Sequence, residues 1–214
     1  MSTACEPRQK RKSGRPQDPA KREAILDAAS QQFFAAGYAA TSIEQVAALA
    51  GVSKVTIYNQ FDDKRGLFKA AVERECARMR GLLALGAQPS GSISERLAEL
   101  GKAMVAFLSR PEMIQFERRI AAETERDPAI GRAFLEAGPW RMKDAFSKWL
   151  AHACAAGELE IADPSLAAEQ FVSMCKGMGD LERRFGAIPG DRETHERISS
   201  AVEVFLAAYS PASR

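Results

Sequence analysis

Residues 41–68 read TSIEQVAALAGVSKVTIYNQFDDKRGLF. The pattern is two short helices interrupted at Gly51, with a third helix beginning directly afterwards. Ser42 followed by Gln45 matches a capping box, in which a hydroxyl and an amide satisfy each other's backbone N–H groups. Ile43, Val46, Ala47 and Ala50 recur at i, i+3, i+4 and i+7, which makes one face of the first short helix apolar. Gly51 admits the left-handed backbone of a sharp stop, and Ser53 is placed to cap the next helix.

That next helix can turn Val52, Ile57 and Phe61 inward, and it leaves Lys54, Val55, Thr56, Tyr58, Asn59 and Gln60 outside. A cation, a hydroxyl, a phenol, two amides and a methyl pair suit phosphates, base edges and the thymine methyl of a major groove. Two helices around a short glycine turn, the second carrying such groups, describe a helix-turn-helix. A helical hairpin with a merely solvated polar face has the same periodicity, so periodicity does not separate the two.

Residue order does. Thr41-Ser42-Ile43, Val46-Ala47, Ala50-Gly51-Val52-Ser53, Thr56-Ile57-Tyr58, Phe61, Lys64 and Leu67-Phe68 stand in one fixed spacing. In this the stretch resembles the helix-turn-helix of the tetracycline-repressor (TetR) family. The resemblance implies that Thr41 and Ser42 approach the DNA backbone and that Lys54, Val55, Thr56 and Asn59 face base edges. It makes Tyr58 and Lys64 phosphate contacts. Gln60 joins this DNA-facing set at a place where the family often has His or Tyr, and Val55 stands where Gly, Pro or Ala is frequent. The base preference is therefore this chain's own.

Composition agrees with such a function. Of 214 residues 46% are hydrophobic and 27% charged, enough for one or two real cores. Residues 1–80 carry 14 Lys and Arg against 9 Asp and Glu, a net of +5, while residues 81–214 carry 16 against 19, a net of −3. The positive end coincides with the proposed reading head, as nucleic-acid binding requires. No apolar run approaches the roughly 20 residues of a membrane span. The basic N-terminus has no apolar stretch behind it, so a secretory signal is not expected and a cytoplasmic location without a membrane partner is.

In chain order, residues 1–17 form a basic arm (Arg8, Lys10, Arg11, Lys12, Arg15) expected to be disordered without DNA. Asp18-Pro19 opens the first helix, which buries Ile25, Ala29 and Phe33 and ends near Gly37. A fourth helix, capped by Asp62 or Asp63, carries Phe68, Val72, Cys76 and Met79 inward and runs to about Gly81. Residues 18–84 make the DNA-binding domain with its linking helix. Ser92 and Glu95 start a second domain at residues 92–214. Further helices follow Pro111, Asp127-Pro128, Asp163-Pro164 and Asp191, and Gly138-Pro139 bends or splits one of them. No alternating strand pattern occurs. The expected fold is all-α with about nine helices, a three-helix DNA-binding domain before a helical domain for ligand binding and dimerisation.

Chemistry beyond binding finds no constellation. His152 and His195 lack zinc-ligand spacing, no phosphate-binding loop is present, and Gly177-Met178-Gly179 lies in a helical pattern with no preceding strand. No cofactor and no metal are expected. Cys76 and Cys175 fall in apolar stripes and read as packed thiols. Met104, Phe107, Met113, Phe116, Ile120, Phe146, Trp149, Phe171 and Met174 are candidates to line a pocket for a small apolar or aromatic effector, though most such residues are plain core. The last two helices carry apolar stripes: Ala167, Phe171, Met174, Met178, Leu181 and Phe185, spaced 4-3-4-3-4, then Ile198, Val202, Phe205 and Tyr209, spaced 4-3-4. Either stripe fits the domain's own core or a shallow helix seam.

Family resemblance tips the stripes toward a homodimer interface, since these regulators dimerise through their last two long helices. The C-terminal half resembles an AefR-like domain, through Ala168-Glu169-Gln170-Phe171 among others. Together these readings give a transcriptional regulator, a repressor, holding a near-palindromic double-stranded DNA operator as a homodimer and released by its effector. A DNA-binding regulator without an effector, and more remotely a helical enzyme or interaction module, are the alternatives.

Overall fold

The computed structural model describes residues 18–86 and 91–211, and these contain ten helices and no strand. The basic arm, Cys5 and part of the expected interdomain loop lie outside the described residues. In order the helices are α1 Pro19–Ala36, α2 Ile43–Ala50, α3 Lys54–Phe61, α4 Lys64–Gly86, α5 Ile93–Leu108, α6 Pro111–Thr124, α7 Pro128–Ala137, α8 Pro139–Ala155, α9 Pro164–Arg184 and α10 Asp191–Tyr209. The fold is all-α, as expected. Gly138 and Pro139 split one expected helix into α7 and α8, and α4 runs past Gly81 to Gly86.

Helix starts follow their caps. Asp18 accepts from Ala20 N at 3.1 Å before Pro19, and Asp127 and Asp163 cap α7 and α9 in the same way. At α2 the capping box closes, with Gln45 N on Ser42 Oγ at 3.1 Å and Ser42 N on Gln45 Oε1 at 2.8 Å. Gly51 ends α2 with φ 65° and ψ 33°, the left-handed stop that glycine adopts without steric cost. Asp63, rather than Asp62, caps α4 by accepting from Gly66 N at 2.6 Å.

Buried side chains form two clusters. The first joins α1–α4 to Met113, Phe116 and Ile120 of α6 and to Ile130, Ala133 and Ala137 of α7. The second gathers α5, α8, α9 and α10 around Leu97, Phe146, Leu150, Phe171 and Phe205. Sequence loosens after α4, yet the DNA-binding half shares its first core with helices from beyond that point.

The expected dimer stripe is divided between core and surface. Phe171, Ile198, Val202 and Phe205 are fully buried in the chain's own second core. Met174 and Tyr209 are half-buried against it, and Tyr209 donates to Gln170. Only Met178, Leu181 and Phe185 of the expected set are exposed, joined by Ile188 and Val204. Backbone geometry explains the division. Gly177 has φ 46° and ψ −153°, which breaks α9. Before the break the stripe points into the core, and after it the same spacing points to solvent. A Cβ at Gly177 would stand 2.7 Å from Arg197 Cδ, so the break is shaped to admit that side chain.

Phe116 tests the shared core. It is fully buried and meets rings from α1, α4 and α7. Phe116→Ala should cost about 3–5 kcal/mol in urea unfolding, and a loss below about 1 kcal/mol would contradict a core common to both halves.

Candidate DNA-binding helix and ligand cavity

Two buried residues, Ile57 and Phe61, fasten α3 to the first core, and Val52 packs at its edge. Ser53 sets its start by accepting from Thr56 N at 3.2 Å. What remains outside is largely the set expected from sequence. Lys54, Val55, Tyr58 and Asn59 are exposed, Val55 at 65% and Tyr58 at 46% of their surface. An exposed valine in a capped helix has no packing role, so its methyl pair is available for contact. Thr56 and Gln60 are half-buried. Thr56 Oγ1 lies 2.9 Å from Ser53 Oγ, and Gln60 Oε1 is buried with no hydrogen-bond partner.

The three remaining expected contacts are engaged within the chain. Thr41 is buried, and its hydroxyl donates to Gly37 O at 2.7 Å, so its side chain braces the turn. Ser42 is half-buried with its hydroxyl engaged as the α2 cap. Lys64 bends over the Tyr38 ring, 4.4 Å from its centre, and donates to Ala39 O at 3.2 Å. Partial burial pushes its ammonium below the ordinary value. Lys64 thus pins the α1–α2 turn to the start of α4.

Sequence reasoning missed Glu44. Its Oε1 lies 2.9 Å from Lys54 Nζ, so a carboxylate of α2 supplies a counter-charge to the first residue of α3. The hydrogen bond from Lys54 holds the Glu44 carboxyl below its usual value, and the same bond raises Lys54. Both groups are exposed, where such pairs are weak and exchange readily. Ten residues and a turn separate them, a spacing no local periodicity marks.

α6 connects this unit to the rest. Arg119 donates to Phe34 O at 2.8 Å, Ala39 N donates to Glu123 Oε2 at 3.0 Å, and the Phe34 and Phe116 rings stack at 4.2 Å. On the other side of Phe116 lies a cavity of about 420 Å³, bordered by α4 to α9 and the end of α1. Met104, Phe107, Met113, Phe116, Phe146 and Phe171 line it, as the sequence suggested. Ile120, Trp149 and Met174 do not. Ile120 is buried in the first core, while Trp149 and Met174 pack in or against the second, with Arg96 over the Trp149 ring at 5.6 Å.

Sequence also missed the polar part of this wall, which includes Glu75, Glu117, Lys143, Glu169 and Lys176. Burial raises the Glu117 carboxyl above its ordinary value, against the lowering effect of Arg184 at 3.3 Å. Cys175 is buried beside the second core, and burial pushes its thiol up to about 12. A thiol held so far from its thiolate is a poor redox sensor. Among the described residues no cluster of three His, Cys, Asp or Glu could hold a metal ion, and no helix is long and apolar enough to cross a membrane.

With this geometry in view, comparison with known proteins is specific. Residues 25–71 match the family of bacterial regulatory proteins of the tetR type, and residues 95–211 match the AefR-like transcriptional repressor C-terminal domain. A TetR-family regulator from Mesorhizobium loti shares 28% identity over 92% of this chain and all of its own, with a TM-score of 0.76. The flavonoid-responsive regulator FrrA shares 30% over 92% of this chain and all of its own, with a TM-score of 0.71. An HTH-type transcriptional regulator of Bacillus subtilis, YvkB, is 26% identical over 72% of this chain and 78% of its own. The chain therefore belongs to the TetR family of bacterial transcriptional regulators, not to a family of enzymes, and its C-terminal domain is of the AefR-like type.

Proposed function

We propose that the chain acts in the cytoplasm as a homodimeric repressor of a near-palindromic operator, released when a small apolar or aromatic molecule fills the α4–α9 cavity. One observation carries the reading. α3 is fixed to a core that includes Phe116, and Phe116 is also a wall of the cavity. The position of the reading helix and the occupancy of the cavity therefore depend on one packed ring.

On DNA, Lys54, Val55, Asn59 and, at the half-buried edge, Thr56 and Gln60 meet base edges, while Tyr58 meets phosphate. Lys54 must exchange Glu44 for the duplex. Contacts to phosphate alone give salt-sensitive, non-specific binding. Two heads about 34–36 Å apart reach successive major grooves on one side of the duplex and so read a sequence. Thr41 and Lys64 contribute by holding the turn that aims α3.

The second copy meets the exposed apolar residues Met178, Leu181 and Phe185 at the end of α9, with Val204 of α10 beside them. Phe185 is 84% exposed, and apolar surface of this extent on a soluble domain marks an interaction face. An effector that shifts α6 changes the seat of the α1–α2 turn. A coupling of about 1–3 kcal/mol is the usual scale of such a switch. The aromatic lining favours an aromatic molecule, and the flavonoid response named for a relative of 30% identity supports that class.

Three experiments test these assignments. Tyr58→Ala should weaken binding to every duplex alike, and Val55→Ala should weaken only the selected operator; the reverse pattern in anisotropy titrations would contradict the orientation of α3. Glu44→Gln should release Lys54, tighten binding at low salt and steepen its salt dependence, whereas an unchanged slope would place Lys54 away from the duplex. Leu181→Glu combined with Phe185→Glu should give folded monomers in sedimentation with little operator affinity. A persistent dimer would move the interface elsewhere. Phe205 is no substitute, because a charge in the core would test folding and not association.

A further inference from the structure

A second cavity, about 550 Å³, lies between α5, the start of α6 and the α9–α10 turn. It shares no lining residue with the first cavity. Its walls are apolar at Val105, Ile114, Ile188 and Ile198, and its titratable groups are Lys102, Arg118, Arg183, His195 and Asp191. Cations outnumber the single carboxylate. Lys102 is tied to Glu99 outside the lining at 2.9 Å.

The two guanidiniums are differently placed. Arg118 donates to Arg183 O at 2.7 Å and Arg183 donates to Thr194 Oγ1 at 3.3 Å, both neutral acceptors. Among the described residues neither forms an ion pair with a carboxylate. Ser109 Oγ, also in this lining, is buried without a hydrogen-bond partner. A polar atom removed from water and left unpaired is costly, so such atoms commonly mark a place for a missing partner. The first turns of α6 and α10 border the same space, but both already carry carboxylates: Glu112 in α6, and Asp191 and Glu193 in α10, where Gly190 N donates to Glu193 Oε2 at 3.4 Å. The positive potential of the site is therefore that of the guanidiniums and not of the helix ends.

We propose that this cavity is a second ligand site, which takes an amphipathic anion with a carboxylate head and an apolar tail. The head is held by Arg118 and Arg183, with Ser109 as an additional donor, and the tail lies on Ile114 and Ile188, above the buried side chains of Val105 and Ile198. α6 is the partition between the two cavities. Met113, Phe116 and Glu117 border the first, and Pro111, Ile114 and Arg118 border the second. Arg119 and Glu123, further along the same helix, hold Phe34 and Ala39 near the reading head. A ligand in the second cavity therefore touches the same helix as a ligand in the first, and any effect of one on the affinity of the other is reciprocal.

Calorimetry of the full chain with octanoate, octanol and octylamine tests the site. Octanoate should bind at least about tenfold more tightly than either neutral or cationic analogue, the scale of one charge-assisted contact. Arg118→Gln, alone and with Arg183→Gln, should remove that preference while thermal unfolding stays unchanged. Lys143→Gln with Lys176→Gln, in the first cavity, should leave it intact. Equal binding of the three probes would overturn the proposal, as would loss of octanoate binding only in the Lys143/Lys176 variant. Dissociation of the dimer by the arginine substitutions, without any octanoate preference in the unaltered chain, would assign the guanidiniums to the second copy and also overturn it.

Discussion

The packing of Phe116 is the constraint on which the molecule depends. Its ring stacks on Phe34 of α1 at 4.2 Å, meets Phe134 of α7 edge-on at 5.7 Å and lies 6.1 Å from Phe68 of α4. Such pairs add about 0.5–1.5 kcal/mol each beyond the area they bury. Interiors are packed nearly as densely as organic crystals, so a buried ring cannot move without its neighbours. One turn further on, Ile120 continues the same seam, and Arg119 and Glu123 tie α6 to the backbone at Phe34 and Ala39. The DNA-binding half is thus a set of helices completed by α6 and α7, and not a detachable head.

The reading helix has the opposite character. Only Ile57 and Phe61 of its eight residues are buried, and its exposed groups are held by weak, exchangeable contacts such as Lys54 with Glu44. Firm anchoring below and loose pairing above is what recognition requires, because exposed pairs at high dielectric cost little to rearrange. The cationic groups nearest α3 are not idle charges. Lys64 closes the α1–α2 turn over Tyr38, and Arg65 reaches Asp127 at the cap of α7 at 3.5 Å.

Much of this could be read from sequence because it is local. Asp18, Ser42, Ser53, Ser92, Asp127 and Asp163 each cap the helix they precede, and caps act within three residues. The inward positions of α3 and six of the cavity residues followed from helical spacing. What spacing could not decide was non-local. Spacing at 4-3-4 cannot say whether Phe205 meets its own core or a second copy, since both use the same seam. Gly177 looked like an ordinary helical glycine, yet its backbone turns the remainder of the α9 stripe outward. Thr41 looked like a surface residue at a helix start, and its bond to Gly37 O depends on a turn that sequence does not reveal.

Selection of bound fragments from genomic DNA, followed by footprinting of the recovered sequence, bears most directly on a duplex gripped by two copies of α3. Protection should fall on one face of the DNA as two inverted half-sites about 10–10.5 base pairs apart or a multiple of that spacing. Recovery of no sequence above competitor DNA, or a single protected half-site without symmetry, would contradict it.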